Sequence, residues 1–176
     1  MKTIIAATMM LATTMSFSNQ SQVYTIDKQG TKVGLTIMEQ LIRIKELDTV
    51  SKTNLQSRLV SYATKHVTEP YTWGGNYKRD KFDCSSLVQG AYASIGIKIP
   101  RTTITQFNGL QKKVNYNKLQ IGDLLYYLTD SSRKQSVTHV VMYIGNGKVV
   151  EAKSKKKGII ISKLTKSRFV GARRVL

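Results

Sequence analysis

The chain has 176 residues, with 28 lysines and arginines against 10 aspartates and glutamates, and it carries a formal net charge of +18 at pH 7. This length is sufficient for one domain with a core of ordinary size. A single cysteine and two histidines exclude a disulfide within the chain and do not make a metal-ligand set.

The excess of positive charge indicates a partner of opposite sign. Such a field attracts anionic polymers, among them nucleic acid, anionic lipid and the acidic polymers of a bacterial envelope. The lysine-rich run at residues 153–157 is either a solvated loop or a contact patch for such a polymer, and both interpretations stay open.

Residues 1–18 resemble a secretory signal peptide. Lys2 supplies a basic start, residues 4–15 carry no charge, and Ser16 and Ser18 are the small residues that a signal peptidase reads. The alternative is an ordinary buried helix. With no cysteine near the expected cleavage site, a lipoprotein is not expected. Because no later stretch is apolar enough for a bilayer span, we expect a soluble exported product without stable membrane insertion, and nucleic acid becomes a poor candidate partner.

The remaining chain is predicted to hold helices first and strands last. Residues 19–51 form a lead-in segment with one helix, and residues 52–176 form the main domain. Such a segregated order is typical of the α+β class, with an antiparallel sheet packed against a helix. Apolar periodicity predicts helices at residues 35–47, 55–67 and from Cys84 to Gly96, a short helix at 106–110, and strands at 123–128, 138–144, 148–153, 158–164 and 169–176.

Cys84 lies at the predicted start of a helix, directly after Asp83. Unpaired backbone N–H groups and the helix dipole favour an anion there, so a thiolate at this position has a lowered pKa and is a nucleophile. The alternative is a small buried apolar residue. An exported protein with one unpaired thiol favours the reactive interpretation.

His139 lies inside a strand with two apolar faces and therefore needs a polar partner. Residues 145–147 connect this strand to the one that carries Glu151. A two-residue loop would put His139 and Glu151 on opposite faces of the sheet. A three-residue loop, with a type I turn and Gly147 left-handed, would place Val141 opposite Glu151 and bring the histidine and the acid together. We expect the three-residue loop and a Cys84–His139–Glu151 arrangement, whereas His66 is expected to be structural.

Taken together, the motifs resemble the NlpC/p-sixty family of cell-wall cysteine peptidases, related to the CHAP-type amidases. The resemblance covers roughly residues 52–176 and implies a papain-like fold, with helices packed on a central antiparallel sheet of five to six strands. The matching segments are Tyr71-x-Trp73-Gly74-Gly75, Phe82-Asp83-Cys84-Ser85-Ser86-Leu87-Val88, Gly96-Ile97, Ile99-Pro100-Arg101, Gln106, Ile121-Gly122-Asp123-Leu124, His139-Val140-x-Met142-Tyr143-Ile144-Gly145 and Val149-Val150-Glu151-Ala152.

The resemblance implies hydrolysis of peptide bonds in peptidoglycan stem peptides, usually between D-γ-glutamate and a diamino acid. Cys84 would be the nucleophile and His139 the general base. Tyr71, Asp83 and Ser85 would line the substrate site, and the last two would hold the substrate's free amine.

Two residues depart from the family pattern. Ser86 replaces a usual glycine, and its hydroxyl is expected to crowd the helix packing. Glu151 replaces a usual histidine at the third catalytic position, as in the CHAP-type amidases, and should still orient His139.

Three functions remain open at this point. The first is a monomeric stem-peptide endopeptidase that needs no cofactor or metal, acting on peptidoglycan in the periplasm or the cell wall. The second is an N-acetylmuramoyl-L-alanine amidase or a wall-degrading toxin delivered to competitors. The third is a non-catalytic wall-binding protein, which would not need the cysteine, the histidine or the acid.

Overall fold

The computed structural model describes residues 24–26, 32–34, 37–133 and 136–176. The predicted signal peptide lies outside these residues. The chain divides into two compact units, residues 1–50 and residues 51–176. The domain limits 19–51 and 52–176 stay a prediction.

The predicted lead-in contains two short strands. Strand β1 (Tyr24–Ile26) pairs antiparallel with β2 (Lys32–Gly34), with Tyr24 opposite Gly34. They are followed by helix α1.

Helix α1 runs without interruption over Ile37–Lys65, so the prediction of two separate helices was wrong. The apolar periodicity weakens between residues 47 and 55. However, these residues include neither glycine nor proline, and nothing in them terminates a helix. The Thr49 hydroxyl donates a hydrogen bond to the Lys45 carbonyl one turn earlier, within the helix. None of the described helices is long and apolar enough to cross a membrane.

Two shorter helices follow, and each begins with a capping box. Helix α2 (Cys84–Ala93) is capped by Asp83. Helix α3 (Thr103–Gly109) is capped by Thr102 and therefore starts three residues before the predicted position. Two 3-10 helices, Tyr77–Arg79 and Tyr116–Lys118, connect other elements.

The last third of the chain forms a six-stranded sheet in which all neighbouring strands are antiparallel. Its spatial order is β3-β8-β4-β5-β6-β7, which confirms the predicted α+β class and sheet. The strands are β3 (Lys112–Val114), β4 (Leu124–Tyr127), β5 (His139–Gly145), β6 (Lys148–Ser154), β7 (Gly158–Lys163) and β8 (Phe169–Arg174).

The sheet carries an apolar cluster on each face, because side chains alternate along a strand. Val140 and Val150 belong to the larger cluster, which includes Leu87 and Val88 of α2. Val141 belongs to the smaller cluster on the other face, with Leu125, Tyr127, Val149 and Ala172. By the same alternation, His139 and Glu151 lie on the same face of the sheet as Val141.

The β5–β6 hairpin reaches the predicted register by a different turn. Met142 pairs with Val150, so Val141 lies opposite Glu151, as predicted. The connection, however, is the two residues Asn146 and Gly147, both with positive φ, so the predicted type I turn was wrong. The extra residue lies in β5, where the register shifts between Tyr143 and Gly145.

Candidate active site

Cys84 is the first residue of α2, and its side chain is buried at the helix N-terminus. Its Sγ lies 3.6 Å from Oγ1 of Thr103, the first residue of α3. Burial alone would raise the pKa of the thiol. The hydrogen bond and charge of His139, with smaller contributions from Thr103 and the Val140 backbone, lower that pKa below its usual value.

The imidazole of His139 lies between two acidic groups that act on its pKa, the Cys84 thiol and the Glu151 carboxylate. Its Nε2 lies 2.7 Å from Oε2 of Glu151, so Nδ1 is the ring nitrogen left available to the sulfur. Burial alone would lower the pKa of His139, but its interactions with Cys84 and Glu151 raise it to about 9. The imidazole is therefore a cation at neutral pH, and it favours the thiolate form of Cys84 relative to an ordinary thiol.

Glu151 is buried, and both of its oxygens are bonded. Oε2 accepts the bond from His139, while Oε1 accepts bonds from Lys153 Nζ at 2.9 Å and from the Ser162 hydroxyl. Burial alone would raise the pKa of Glu151, and the bonds from His139, Ser162 and Lys153 lower it to about 2. The carboxylate is thus charged throughout the neutral range.

Ser86 takes part in capping α2. Its Oγ accepts a 2.9 Å hydrogen bond from the Asp83 backbone N–H, and the Asp83 carboxylate accepts one from the Ser86 N–H at 2.7 Å. Ser86 is completely buried. Its hydroxyl, which was expected to crowd the helix packing, thus satisfies a backbone donor that a glycine would leave without a side-chain partner.

Arg101 occupies the position next to Asp83 and Ser85, the two residues expected to hold a substrate amine. Its guanidinium lies 2.6 Å from Asp83 Oδ2, donates to Ser85 Oγ at 2.8 Å and also bonds the Gly75 carbonyl. Burial alone would raise the pKa of Asp83, but the bonds from Arg101, Ser86 and Ser85 lower it. A substrate amine would therefore share this carboxylate with Arg101, and the amine-holding role stays a prediction.

An open cleft of about 420 Å³ lies in front of the sulfur. Its wall includes Tyr71, whose pKa is raised to about 12 by burial and then by the negative charges of Cys84 and Asp83. This phenol therefore stays protonated and can donate a hydrogen bond into the cleft. The lining residues are Tyr71, Trp73, Gly74, Asp83, Cys84, Ser85, Arg101, Thr102, Thr103, Ile104, Arg133 and Thr138.

Sequence reasoning predicted Tyr71, Asp83, Cys84 and Ser85 as site residues and missed the other eight residues of this wall. Trp73 and Arg101 were named only as parts of motifs, and Thr103 was not singled out. Arg133 stacks on the Trp73 ring, with its guanidinium carbon 4.4 Å from the ring centroid. No motif marks Arg133, because it lies on a long loop between β4 and β5.

His66 is buried away from these cleft-lining residues. Its Nδ1 lies 2.8 Å from Glu69 Oε1, and its ring packs against Tyr62 and Phe82. These contacts are those of a core histidine. Within the described part of the chain, no group of three or more His, Cys, Asp or Glu residues is arranged to hold a metal ion.

Comparison with known proteins identifies the family. Residues 68–174 match the NlpC/P60 family, which is more than half of the chain, and the chain belongs to that family. This confirms the resemblance predicted from the motifs.

Similar curated proteins are longer than this chain. The bifunctional muramidase/DL-endopeptidase CwlT of Bacillus subtilis (strain 168) is 39% identical over 87 residues, which cover 49% of this chain and 26% of CwlT. The murein DD-endopeptidase MepH of Escherichia coli (strain K12) is 34% identical over 118 residues, covering 64% of this chain and 43% of MepH. The chain thus spans less than half of each.

A solved structure agrees with the fold. An NlpC/P60 family protein from Bacillus cereus superposes with a TM-score of 0.60 at 30% sequence identity, covering 68% of this chain and 39% of that one. The α+β arrangement described above is therefore that of the family.

Proposed function

We propose that this protein is a cell-wall hydrolase that cleaves peptide bonds in peptidoglycan stem peptides with Cys84, His139 and Glu151. The observation that carries the proposal is the 2.7 Å contact between His139 and Glu151 beside a thiol whose pKa His139 lowers, with that thiol on the wall of an open cleft. A purely wall-binding protein has no use for such a set.

The reaction follows from the protonation states. The Cys84 thiolate attacks the carbonyl carbon of the scissile bond, and the backbone N–H of Cys84 at the helix N-terminus stabilises the oxyanion. The His139 imidazolium gives its proton to the leaving amine, and the C–N bond breaks to leave a thioester on Cys84. Water then attacks the thioester while His139 takes one of its protons, and the acid product leaves as the thiolate is regenerated.

Glu151 acts on His139 and not on the substrate. Its carboxylate fixes the ring so that Nδ1 faces the sulfur, and its charge stabilises the imidazolium. Tyr71, Asp83 and Ser85 bind the substrate in the cleft, with Asp83 and Ser85 shared between Arg101 and the substrate amine.

The bond that we propose is the one between D-γ-glutamate and the diamino acid. One similar protein is named a DL-endopeptidase and another a DD-endopeptidase. These names support a stem peptide as the substrate, while they differ in the bond that is cut. We also propose export to the periplasm or the cell wall, supported by the signal-peptide pattern of residues 1–18 and by the net charge of +18, which attracts acidic envelope polymers.

The test is digestion of purified peptidoglycan by the wild-type chain and by Cys84→Ala, under reducing conditions and at several pH values. Mass spectrometry of the soluble products should give fragments from the wild type alone, with a new terminus at D-glutamate. Fragments with a different new terminus would still show that the protein is a hydrolase, but they would assign the cleavage to another bond. Adsorption to the wall without fragments from either form would favour the wall-binding alternative.

A further inference from the structure

We propose that Lys153 and Ser162 are positioning residues that hold Glu151 by its second oxygen and thereby set the protonation of the Cys84–His139 pair. Glu151 uses Oε2 for His139 and Oε1 for the Lys153 ammonium and the Ser162 hydroxyl. Neither Lys153 nor Ser162 is among the residues that line the cleft in front of the sulfur. They act through the carboxylate.

The three strands bring these groups together by register. Glu151 pairs with Ile160 on β7, so Ser162 lies two residues further along the same face. Lys153 lies two residues after Glu151 on β6, where the register with β7 shifts between Ala152 and Ser154, and its ammonium reaches Oε1 from there at 2.9 Å. A single carboxylate is therefore held from β5, β6 and β7, which restricts its rotation far more than the histidine bond alone.

A second cavity, of about 180 Å³, gives this side of the site its own access to solvent. It is lined by Glu151, Lys153 and Ser162 together with His139, and it shares no lining residue with the cleft in front of the sulfur. The charged and titratable groups that line this cavity together with Glu151 are His139 from β5, Lys153 from β6, Lys163 from β7 and Tyr127 from β4.

The expected effect has a definite sign. Lys153 and Ser162 keep the Glu151 carboxylate oriented and charged, and the charged carboxylate stabilises the His139 imidazolium. The imidazolium in turn stabilises the thiolate. Loss of either bond to Oε1 makes the Glu151 carboxylate less able to stabilise the imidazolium, and the imidazolium then stabilises the thiolate less. A higher pH is therefore needed to form the thiolate.

The proposal rests on the proposed function only for its kinetic consequence, so the main test needs no substrate. The rate of Cys84 alkylation by iodoacetamide is measured across pH for the wild type, Ser162→Ala and Lys153→Met. Because hydrogen bonds to charged groups are among the stronger ones, we expect both midpoints to move up by about one pH unit. Thermal unfolding of each variant identifies those that are folded.

Matched variants separate positioning from general effects. Ser162→Thr keeps the hydroxyl and should keep the wild-type midpoint. Lys163→Met removes a lysine from the same cavity that is not among the bonding partners of Oε1, and its midpoint should not move. Superimposable profiles for the wild type, Ser162→Ala and Lys153→Met would overturn the proposal. Equal shifts for Lys153→Met and Lys163→Met would do so as well, since charge alone would then explain them.

A kinetic measurement follows if the chain cleaves a soluble stem peptide. Ser162→Ala should then move the acidic limb of the kcat profile up by about one pH unit, which lowers kcat by up to about tenfold on that limb with KM little changed. Without cleavage by the wild type, the proposed function fails, and the alkylation profile still decides the positioning role.

Discussion

His139 and Glu151 lie twelve positions apart in the chain, yet His139 Nε2 is 2.7 Å from Glu151 Oε2. They are diagonal neighbours across the β5–β6 hairpin, since Val141 lies opposite Glu151. A carboxylate here stands where the family usually has histidine. It adds a full negative charge beside the imidazole, so we expect the reaction to depend on that charge as well as on the orientation of the ring.

We predict that Glu151→Gln lowers kcat/KM by about a hundredfold, because the amide can still bond His139 but cannot stabilise the imidazolium. Glu151→His, which introduces the usual family residue, should keep more activity than Glu151→Gln. The measurement is cleavage of a soluble stem peptide at neutral pH.

Glu69→Gln is the matched control for Glu151→Gln, because Glu69 holds His66 at a similar distance of 2.8 Å. That substitution should leave kcat/KM within twofold, on the order expected for a site away from the chemistry. Full activity of Glu151→Gln would contradict a role for the charge.

The pH dependence of thiol reactivity should reflect the lowered pKa of Cys84 and the raised pKa of His139. We predict that the wild-type chain is alkylated at a nearly constant rate down to a pH well below about 8.5, the usual thiol value. His139→Ala removes the cation and leaves burial to act alone, so its alkylation rate should rise only at or above the usual thiol pKa. If the two profiles coincide, the ion pair does not form.

We predict that Arg101→Met destabilises the fold by about 2 kcal/mol at neutral pH, because it leaves the buried Asp83 carboxylate without its cation. This magnitude is reduced for screening, since 38% of the Arg101 side chain is exposed. Urea unfolding of both forms measures the difference.

The pH dependence of that difference has a fixed sign. The pKa of Asp83 in the folded protein lies below its ordinary value of 3.8. The stabilisation from the Arg101–Asp83 ion pair is therefore present above pH 3.8 and is lost as the pH falls through the folded pKa. The stability gap between wild type and Arg101→Met should therefore narrow in acid. A gap that stays constant or widens in acid would show that the pair is not its source.

Ser86→Gly should restore the usual family residue and yet destabilise this chain. It removes the acceptor for the Asp83 N–H and adds backbone entropy to the unfolded state, which together cost about 2 kcal/mol. Ser86→Ala should cost about half of that, since it removes only the cap. Neither change should alter the kcat of folded protein, because Ser86 is not among the cleft-lining residues. An unchanged melting temperature for Ser86→Gly would refute the capping role.

Trp73 is 63% exposed on the cleft wall, where Arg133 covers one face of its ring. We predict that Trp73→Ala raises KM several-fold with little change in kcat, because the indole offers contact area to bound substrate and touches no reacting group. Val170→Ala truncates another exposed apolar side chain outside the cleft and should leave KM unchanged. An equal effect of both substitutions would argue against a substrate contact at Trp73.

The sequence predicts the site well where one strong local signal or one packing requirement decides it. Asp83 before an apolar-periodic run places Cys84 at a helix start. A buried histidine that needs a partner is sufficient to select the register that puts Val141 opposite Glu151. The turn itself could not be predicted, because the register is the same whether the extra residue lies in the loop or as a bulge in β5.

Other features depend on contacts between distant parts of the chain. Arg101 reaches Asp83 across 18 positions, and nothing local in its loop specifies that partner. Ser162 bonds Glu151 only because β6 and β7 pair in the register that places Ile160 opposite Glu151. The continuity of α1 was missed for a different reason, since a weak apolar pattern is not itself a helix stop.

The strand order has a consequence for how copies of this chain behave at high concentration. Strands β3 and β7 form the two outer edges of the six-stranded sheet. The edge of β7 is covered at Ile159 by backbone hydrogen bonds with Thr68 and Glu69, and edge groups that stay unpaired are templates for strand addition and aggregation. Exposed lysines mark both edges, Lys112 and Lys113 on one and Lys163 on the other. We expect their positive charge to keep the sheet edges of two copies from joining, and chemical acetylation of the lysines should make the protein prone to fibril formation.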